Sequence, residues 1–309
     1  MLRDYVMTIN RKTLSRYMNL LTDFAFKRIF GTEENKHLLI TFLTLLFAPE
    51  IRIRDVSFKT KEVLPHHQKR RKVVYDVYCT TEEGRHIIVE MQQSRQVYFM
   101  NRALIYTAMG MIHQAKRGKW NYRTEPVYGV FLTNFSLPDN EPRLVTRAGI
   151  TDLENGKLLT SAQKWFFVDL SMMERSSLEE CKNDLERWIY CVKNMNKFEE
   201  VPVGYDTLRP LFEASETASL SEEDVVAYSQ SEQRFYDEEV AREEYGDERE
   251  AKGRKEGLQE GRKEGLQEGR KEGQKEERLN IARKLKDAGM ALKDIISFTG
   301  LSSDVVASL

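Results

Sequence analysis

Two strand-forming runs joined by a tight turn constrain this chain more than any other feature. Val73, Val74, Tyr75, Val77 and Tyr78 surround Asp76, and Ile87, Ile88 and Val89 lead into Glu90-Met91-Gln92. β-Branched and aromatic residues at this density predict strands, and Glu82-Glu83-Gly84-Arg85 between them predicts a hairpin turn. A glycine late in a three-residue loop favours a type I turn followed by a left-handed bulge. Centring the loop on Glu83 pairs Thr81 with Arg85, and counting outward sets Asp76 opposite Glu90. Side-chain alternation then puts Ile88, Glu90 and Gln92 on one face, which Asp76 shares. Two carboxylates across a ladder repel unless a cation lies between them, so the pattern points to a divalent metal. An exposed hairpin face is the plainer alternative, but it leaves two acids among apolar strand residues without a reason.

The chain has 309 residues, 40% of them hydrophobic, enough for one main domain with appendages. Its formal net charge of −1 hides a strong asymmetry. Residues 1–135 hold 22 Lys and Arg against 12 Asp and Glu, whereas residues 174–250 are acidic by a similar margin. A basic half is the footprint of a polyanion binder, with an ordinary solvated surface as the alternative. Cys79, Cys181 and Cys191 have neither disulfide-framework nor zinc spacing, and Cys79 fits a strand core. The sequence shows no membrane-length apolar run and no signal-peptide core, so a cytoplasmic location is expected.

After a polar leader, 1–20, Thr22 or Asp23 caps a helix through Phe30, ending at Gly31 in a C′ position. Thr32 and Asn35 open a strongly apolar helix that stops before Pro49. Ile51, Ile53, Val56 and Phe58 alternate as a first strand over 51–60. A basic loop, Pro65-His66-His67-Gln68-Lys69-Arg70-Arg71-Lys72, then leads into the hairpin; its histidines are solvated or phosphate-facing, not metal ligands. Residues 96–116 have helical spacing and close at Gly118, and Val127–Phe135 is apolar throughout, like a strand covered on both faces. Turn signals fill 138–163, Trp165–Leu170 is another buried strand, and the chain is helical and acidic from Ser176. The expected fold class is α/β with a mixed central sheet, followed by an all-helical C-terminal region. Expected boundaries are 21–172 for the core, 173–252 for the acidic helical region, 253–276 for a glycine-rich repeat and 277–309 for a small helical tail.

The repeat sets Gly at every fourth position from Gly253 to Gly273, with Glu in register. Each glycine costs a helix about 1 kcal/mol relative to alanine, and stacked Glu side chains repel. A marginally helical spacer is expected, with helix pairing as the minority reading. The tail has helix-turn-helix rhythm, but Ser302–Leu309 holds no Arg, Lys, Asn or Gln to read base edges. It reads as a protein-binding or dimerising bundle, through which a homo-oligomer would form. The acidic stretch 213–250 is expected to shield the basic core when DNA is absent.

The αβββαβ order and the Asp-x13-Glu-x-Gln spacing resemble the PD-(D/E)XK nuclease superfamily, in particular its recombination-promoting nuclease, or transposase, branch. The carriers are Thr22-Asp23-Phe24-Ala25-Phe26-Lys27-Arg28-Ile29-Phe30-Gly31, Asp76, Gly84-Arg85, Val89-Glu90-Met91-Gln92, Arg102 with Tyr106, and Pro126-Val127-Tyr128-Gly129-Val130. The resemblance covers residues 20–170, and the glycine-rich repeats with a short helical tail are also similar to this branch. It implies a restriction-endonuclease-like αβββαβ core in which Asp76, Glu90 and the Met91 carbonyl hold Mg²⁺, or Mn²⁺. Such an ion lowers the pKa of a bound water and stabilises transition-state charge. Gln92 stands where the superfamily usually has Lys, and an amide can orient water but supplies no cation. Lys27, one helical turn after Asp23, is the candidate for that charge; the pair reads equally as a capping acid with an ion pair. Arg102 and Tyr106, again four residues apart, contact phosphate or form a helix surface pair. Arg70, Arg71 and Lys72 are expected to touch DNA.

The resemblance thus implies a Mg²⁺-dependent endonuclease acting on double-stranded DNA with low sequence specificity, tied to recombination or mobile elements in a bacterial cytoplasm. Gln92 and the large region outside the core motivate the alternative, a weak or inactive nuclease fold serving as an interaction scaffold. A transposase acting at defined ends is implied by the branch name alone, and no acid triad at transposase spacing is visible.

Overall fold

Gly84 adopts φ +85°, the left-handed geometry that the bulge after a type I turn requires. Thr81 N–H donates to the Arg85 carbonyl at 2.9 Å and closes the loop. Strands β4 (Val77–Thr81) and β5 (His86–Gln92) pair antiparallel, with Val77 against Val89 and Tyr78 against Ile88. One further step in this register sets Asp76 opposite Glu90. The expected continuous strand is nevertheless broken at Tyr75–Asp76. Val73–Val74 (β3) turns away to pair with Glu62–Val63 (β2), and the Asp76 N–H leaves the ladder for the Glu90 carboxylate.

The computed structural model describes residues 14–59, 62–63, 73–116, 118–137 and 141–309, divided into two units, Met1–Glu239 and Val240–Leu309. In the first unit the described residues form a six-stranded sheet of order β1-β4-β5-β6-β8-β7, with β1 Val56–Phe58, β6 Val127–Thr133, β7 Val145–Thr151 and β8 Leu158–Asp169. β5, β6 and β8 run parallel while β1, β4 and β7 are antiparallel to their neighbours, so the sheet is mixed as expected. Helices α1 (Asp23–Phe30) and α2 (Lys36–Phe47) share one core with Val77, Val89, Val130 and Val168. Helix α3 (Phe99–Ile112) packs on the opposite face, where Phe99 and Ala103 meet Phe131, Trp165 and Phe167. Gly129 allows that approach: a Cβ there would lie 2.8 Å from Thr107 Cγ2 and 2.6 Å from the Phe131 ring. Trp165 Nε1 then donates to Thr107 Oγ1 at 3.0 Å and fixes α3 on the sheet.

Several local expectations change. The first strand shrinks to β1, although Ile53 is buried. The turn-rich segment 138–163 contains β7 and the start of β8. β7 is a half-exposed edge strand diluted by Ala148 and Gly149, so it shows no clean alternation. Gly31 ends α1 with φ −119°, not in left-handed geometry. In the leader, Tyr17, Met18 and Leu20 are fully buried, and the Met18 N–H donates to the Ser215 carbonyl at 2.8 Å. Three buried residues in so short a run set no readable period. Cys79 is a core thiol, pushed up to about 12 by burial.

Helix α4 (Asp184–Asn194) adds Trp188 and Ile189 to the first core, and α5 (Arg209–Ser215) adds Leu211 and Phe212. Helix α6 (Glu222–Asp287) begins in the first unit, where Val225, Tyr228 and Phe235 join the same core. The Tyr228 hydroxyl accepts from Asn19 N–H and donates to Glu232 Oε1, both at 2.8 Å. Ser231 Oγ accepts from Phe24 N–H at 3.1 Å, and Arg28 pairs with Asp224 at 3.1 Å. Through Glu239 the acidic stretch is therefore built into the first unit. In the second unit the glycine repeat is helical, as part of α6. A Cβ at Gly257, Gly261, Gly265, Gly269 or Gly273 would meet nothing within 4 Å, and nothing in the structure explains these glycines. Helices α7 (Leu292–Thr299) and α8 (Ser303–Ser308) close on the end of α6 around Ala282, Ile295 and Val306. Among the described residues no helix is long and apolar enough to cross a membrane.

Candidate active site

The broken strand is what joins the two acids. Asp76 N–H donates to Glu90 Oε1 and Met91 N–H donates to Asp76 Oδ2, each at 3.0 Å. These reciprocal bonds lock the carboxylates together at the open end of the hairpin. Thr22 caps α1, its Oγ1 accepting from Ala25 N–H, and this orients the helix so that Lys27 reaches the hairpin. Lys27 Nζ lies 2.5 Å from Asp23 Oδ1 and 3.4 Å from Asp76 Oδ1. From the other side α3 delivers Arg102, whose Nη2 is 3.4 Å from Glu90 Oε2 and whose Nη1 donates to Gln92 Oε1 at 3.0 Å. The Tyr106 ring supports the guanidinium at 4.9 Å. Gln92 Nε2 donates to the Ser94 carbonyl at 3.2 Å, so its amide is held at both ends.

Burial and charge work against each other here. Glu90 is only 3% exposed. Burial first, and the adjacent Asp76 charge second, push its carboxyl up to about 8, against the pull of the Asp76 N–H, Arg102 and Lys27. Burial opposes the charge on Lys27, but hydrogen bonding to Asp23 and the Asp76 charge prevail and raise its pKa. Burial and then the Glu90 charge raise the Tyr106 phenol. Three carboxylates (Asp23, Asp76 and Glu90) thus face two cations (Lys27 and Arg102). The cluster stays one charge negative unless Glu90 is protonated or a cation joins it.

A cavity of about 240 Å³ opens beside Asp76, lined by Thr22, Asp23, Phe26, Met91 and Gln92. Its far wall is Ser231, Arg234, Phe235 and Glu238 of α6. Sequence reading missed that wall, because the contact joins residues about two hundred positions apart and the charged α6 pattern carries no cue to it. The structure brings Asp23, Lys27, Asp76, Glu90, Met91, Gln92, Arg102 and Tyr106 together. The other expected DNA contacts, Arg70, Arg71 and Lys72, lie outside the described residues, as do His66 and His67.

The donor set fits a hard divalent ion. Paired carboxylates leave lone pairs for an ion that keeps several waters, and its uptake would release the proton that burial holds on Glu90. Among the described residues no group of three or more His, Cys, Asp or Glu that could hold a metal ion is present.

A mixed sheet with helices on both faces, and an acid pair at the mouth of its central hairpin, define a restriction-endonuclease-like fold. Residues 20–244 match the family described as PD-(D/E)XK nuclease family transposase. That span is well over half of the 309 residues, and the chain belongs to this family. No curated protein and no solved structure matches the chain. PD-(D/E)XK nucleases as a class are hydrolases that generally use divalent metal ions.

Proposed function

We propose that the chain is a Mg²⁺- or Mn²⁺-dependent endonuclease that hydrolyses phosphodiester bonds of double-stranded DNA with low sequence specificity, in recombination or mobile-element movement. The reciprocally bonded Asp76–Glu90 pair, Glu90 buried and Asp76 lining the cavity, carries this reading. Asp76, Glu90 and the Met91 carbonyl would hold the ion, which when bound supplies an activated water and stabilises charge developing on the phosphate. Lys27, its charge strengthened by Asp23, stabilises the same developing charge in place of the lysine that Gln92 replaces. Its raised pKa suits a standing cation better than a proton donor. The Gln92 amide orients water, and Arg102 fixes that amide and Glu90 while its ring partner Tyr106 limits its motion. Arg70, Arg71, Lys72 and the rest of the basic half hold backbone phosphates, so binding weakens steeply with salt.

A second reading, a weak or inactive scaffold, draws on one observation. Asp76 and Glu90 already have cationic partners in Lys27 and Arg102, and the Gln92 amide is occupied. Calorimetric titration with Mg²⁺ and Mn²⁺ separates the two. Saturable uptake that disappears in Asp76→Ala and Glu90→Ala supports the nuclease, and no uptake by the native protein favours the scaffold.

A further inference from the structure

The loop between α3 and β6 carries a surface that the nuclease site does not use. Its sequence is Lys116-Arg117-Gly118-Lys119-Trp120-Asn121-Tyr122-Arg123, cations interleaved with aromatics. The neck of the loop is closed by the Gln114 amide, which accepts from Glu125 N–H at 2.6 Å and donates to the Glu125 carbonyl at 3.1 Å. Tyr122 is 82% exposed and has φ +59°, the one positive φ outside glycine among the described residues. An aromatic residue rarely adopts left-handed backbone, and such geometry gathers where a ligand is clamped. The Trp120 and Tyr122 rings lie 5.1 Å apart and inclined by 40°. Lys116, Lys119 and Arg123 are exposed on the same loop, and none makes an ion pair among the described residues.

We infer that Trp120 and Tyr122 form a stacking platform for the unpaired bases of a single-stranded nucleic acid, with Lys116, Lys119 and Arg123 on its backbone. The exposed Tyr122 ring against the half-buried Trp120 ring, on a loop with unpaired cations, suits bases that have lost their neighbours, whereas the bases of an intact duplex are already stacked. The position also suits a substrate that reaches the carboxylates. Val127 begins β6 four residues, about 13 Å, before Phe131, the partner of Glu90, so the loop leads into the turn end of the sheet and a strand bound on it would run along the sheet to the acid pair. This inference rests on the nuclease reading, and narrows its substrate to DNA carrying a single-stranded stretch near the cleaved bond.

The test uses the full-length protein in EDTA with short oligothymidylate, oligouridylate and a mixed-sequence duplex. Of the three tryptophans Trp165 and Trp188 are buried, so emission changes report Trp120. The expected result is quenching by the single strands, with DNA and RNA arms ranking the sugar preference. By anisotropy of labelled oligonucleotides, Trp120→Ala and Tyr122→Gly should each weaken single-strand binding by about fivefold or more while duplex binding holds. Tyr122→Gly also relieves the backbone strain, so its loss of binding cannot be laid to misfolding. Lys119→Gln combined with Arg123→Gln should flatten the salt dependence by about 1.4 in log–log slope. Absence of quenching, or single-strand affinity unchanged in both aromatic variants, overturns the inference and leaves the loop to a protein partner. Quenching without metal-dependent cleavage would sink only the nuclease reading, and cleavage without quenching only this one.

Discussion

Glu90→Gln in metal-free protein isolates the electrostatics on which the site depends. The Glu90 carboxyl is raised to about 8, by burial first and the Asp76 charge second, from an ordinary 4.5. Between those values the folded protein holds a proton that the unfolded chain has released, so stability falls as pH rises through that window. The contribution is fully present below about pH 4.5 and gone above about pH 8. A gap of about 3.5 pH units sets a ceiling of about 5 kcal/mol. Water penetration and closer approach of Arg102 reduce it, leaving about 2–4 kcal/mol. Gln keeps the shape of the side chain and the acceptor for Asp76 N–H but cannot ionise. Urea unfolding in EDTA at about pH 5 and about pH 8.5 should show the native protein losing about 2–4 kcal/mol relative to the variant, since every other titration cancels. Parallel pH profiles for the two proteins would refute the buried-acid argument.

Other substitutions probe the surrounding structure. Lys27→Met removes two ion pairs of a lysine that is a third exposed, each worth at most about 1 kcal/mol, so the melting temperature falls by only a few degrees. Plasmid cleavage should nonetheless fall about a hundredfold, and unchanged cleavage would remove Lys27 from the mechanism. Gly129→Ala drives a Cβ into Thr107 and Phe131 and should cost about 1–3 kcal/mol by denaturant unfolding; native-like stability would contradict the close seating of α3. Tyr228→Phe strips the buried Asn19 N–H of its acceptor and should cost about 1–3 kcal/mol by the same measurement. No loss there would mean that α6 is not fastened to the core through this bond.

The hairpin was legible because its determinants are local. Gly84 sets the turn, the turn sets the Thr81–Arg85 pair, and the register follows to Asp76 and Glu90. The Asp23–Lys27 pair was legible for the same reason, four residues apart on one helix. What escaped was non-local or unpatterned. Tyr17 and Met18 owe their burial to α5 and α6, some two hundred residues away, and Arg234 reaches the cavity from a helix face that looks like any solvated charge run. β7 escaped because an exposed edge strand needs no alternating face. The helical spacer expected at the repeat is helical as part of α6, although six glycines lower its intrinsic propensity. The break at Tyr75–Asp76 was invisible because a side chain, Glu90, takes the place of a backbone acceptor.

The central claim is that Asp76 and Glu90 together make a metal-dependent nuclease, and supercoiled plasmid tests it most directly. Native protein with Mg²⁺ or Mn²⁺ should convert the plasmid to nicked and linear forms. EDTA, Asp76→Asn and Glu90→Gln should each abolish that conversion while the variants remain folded. Intact plasmid with the native protein, or cleavage that persists in either variant, would contradict the account.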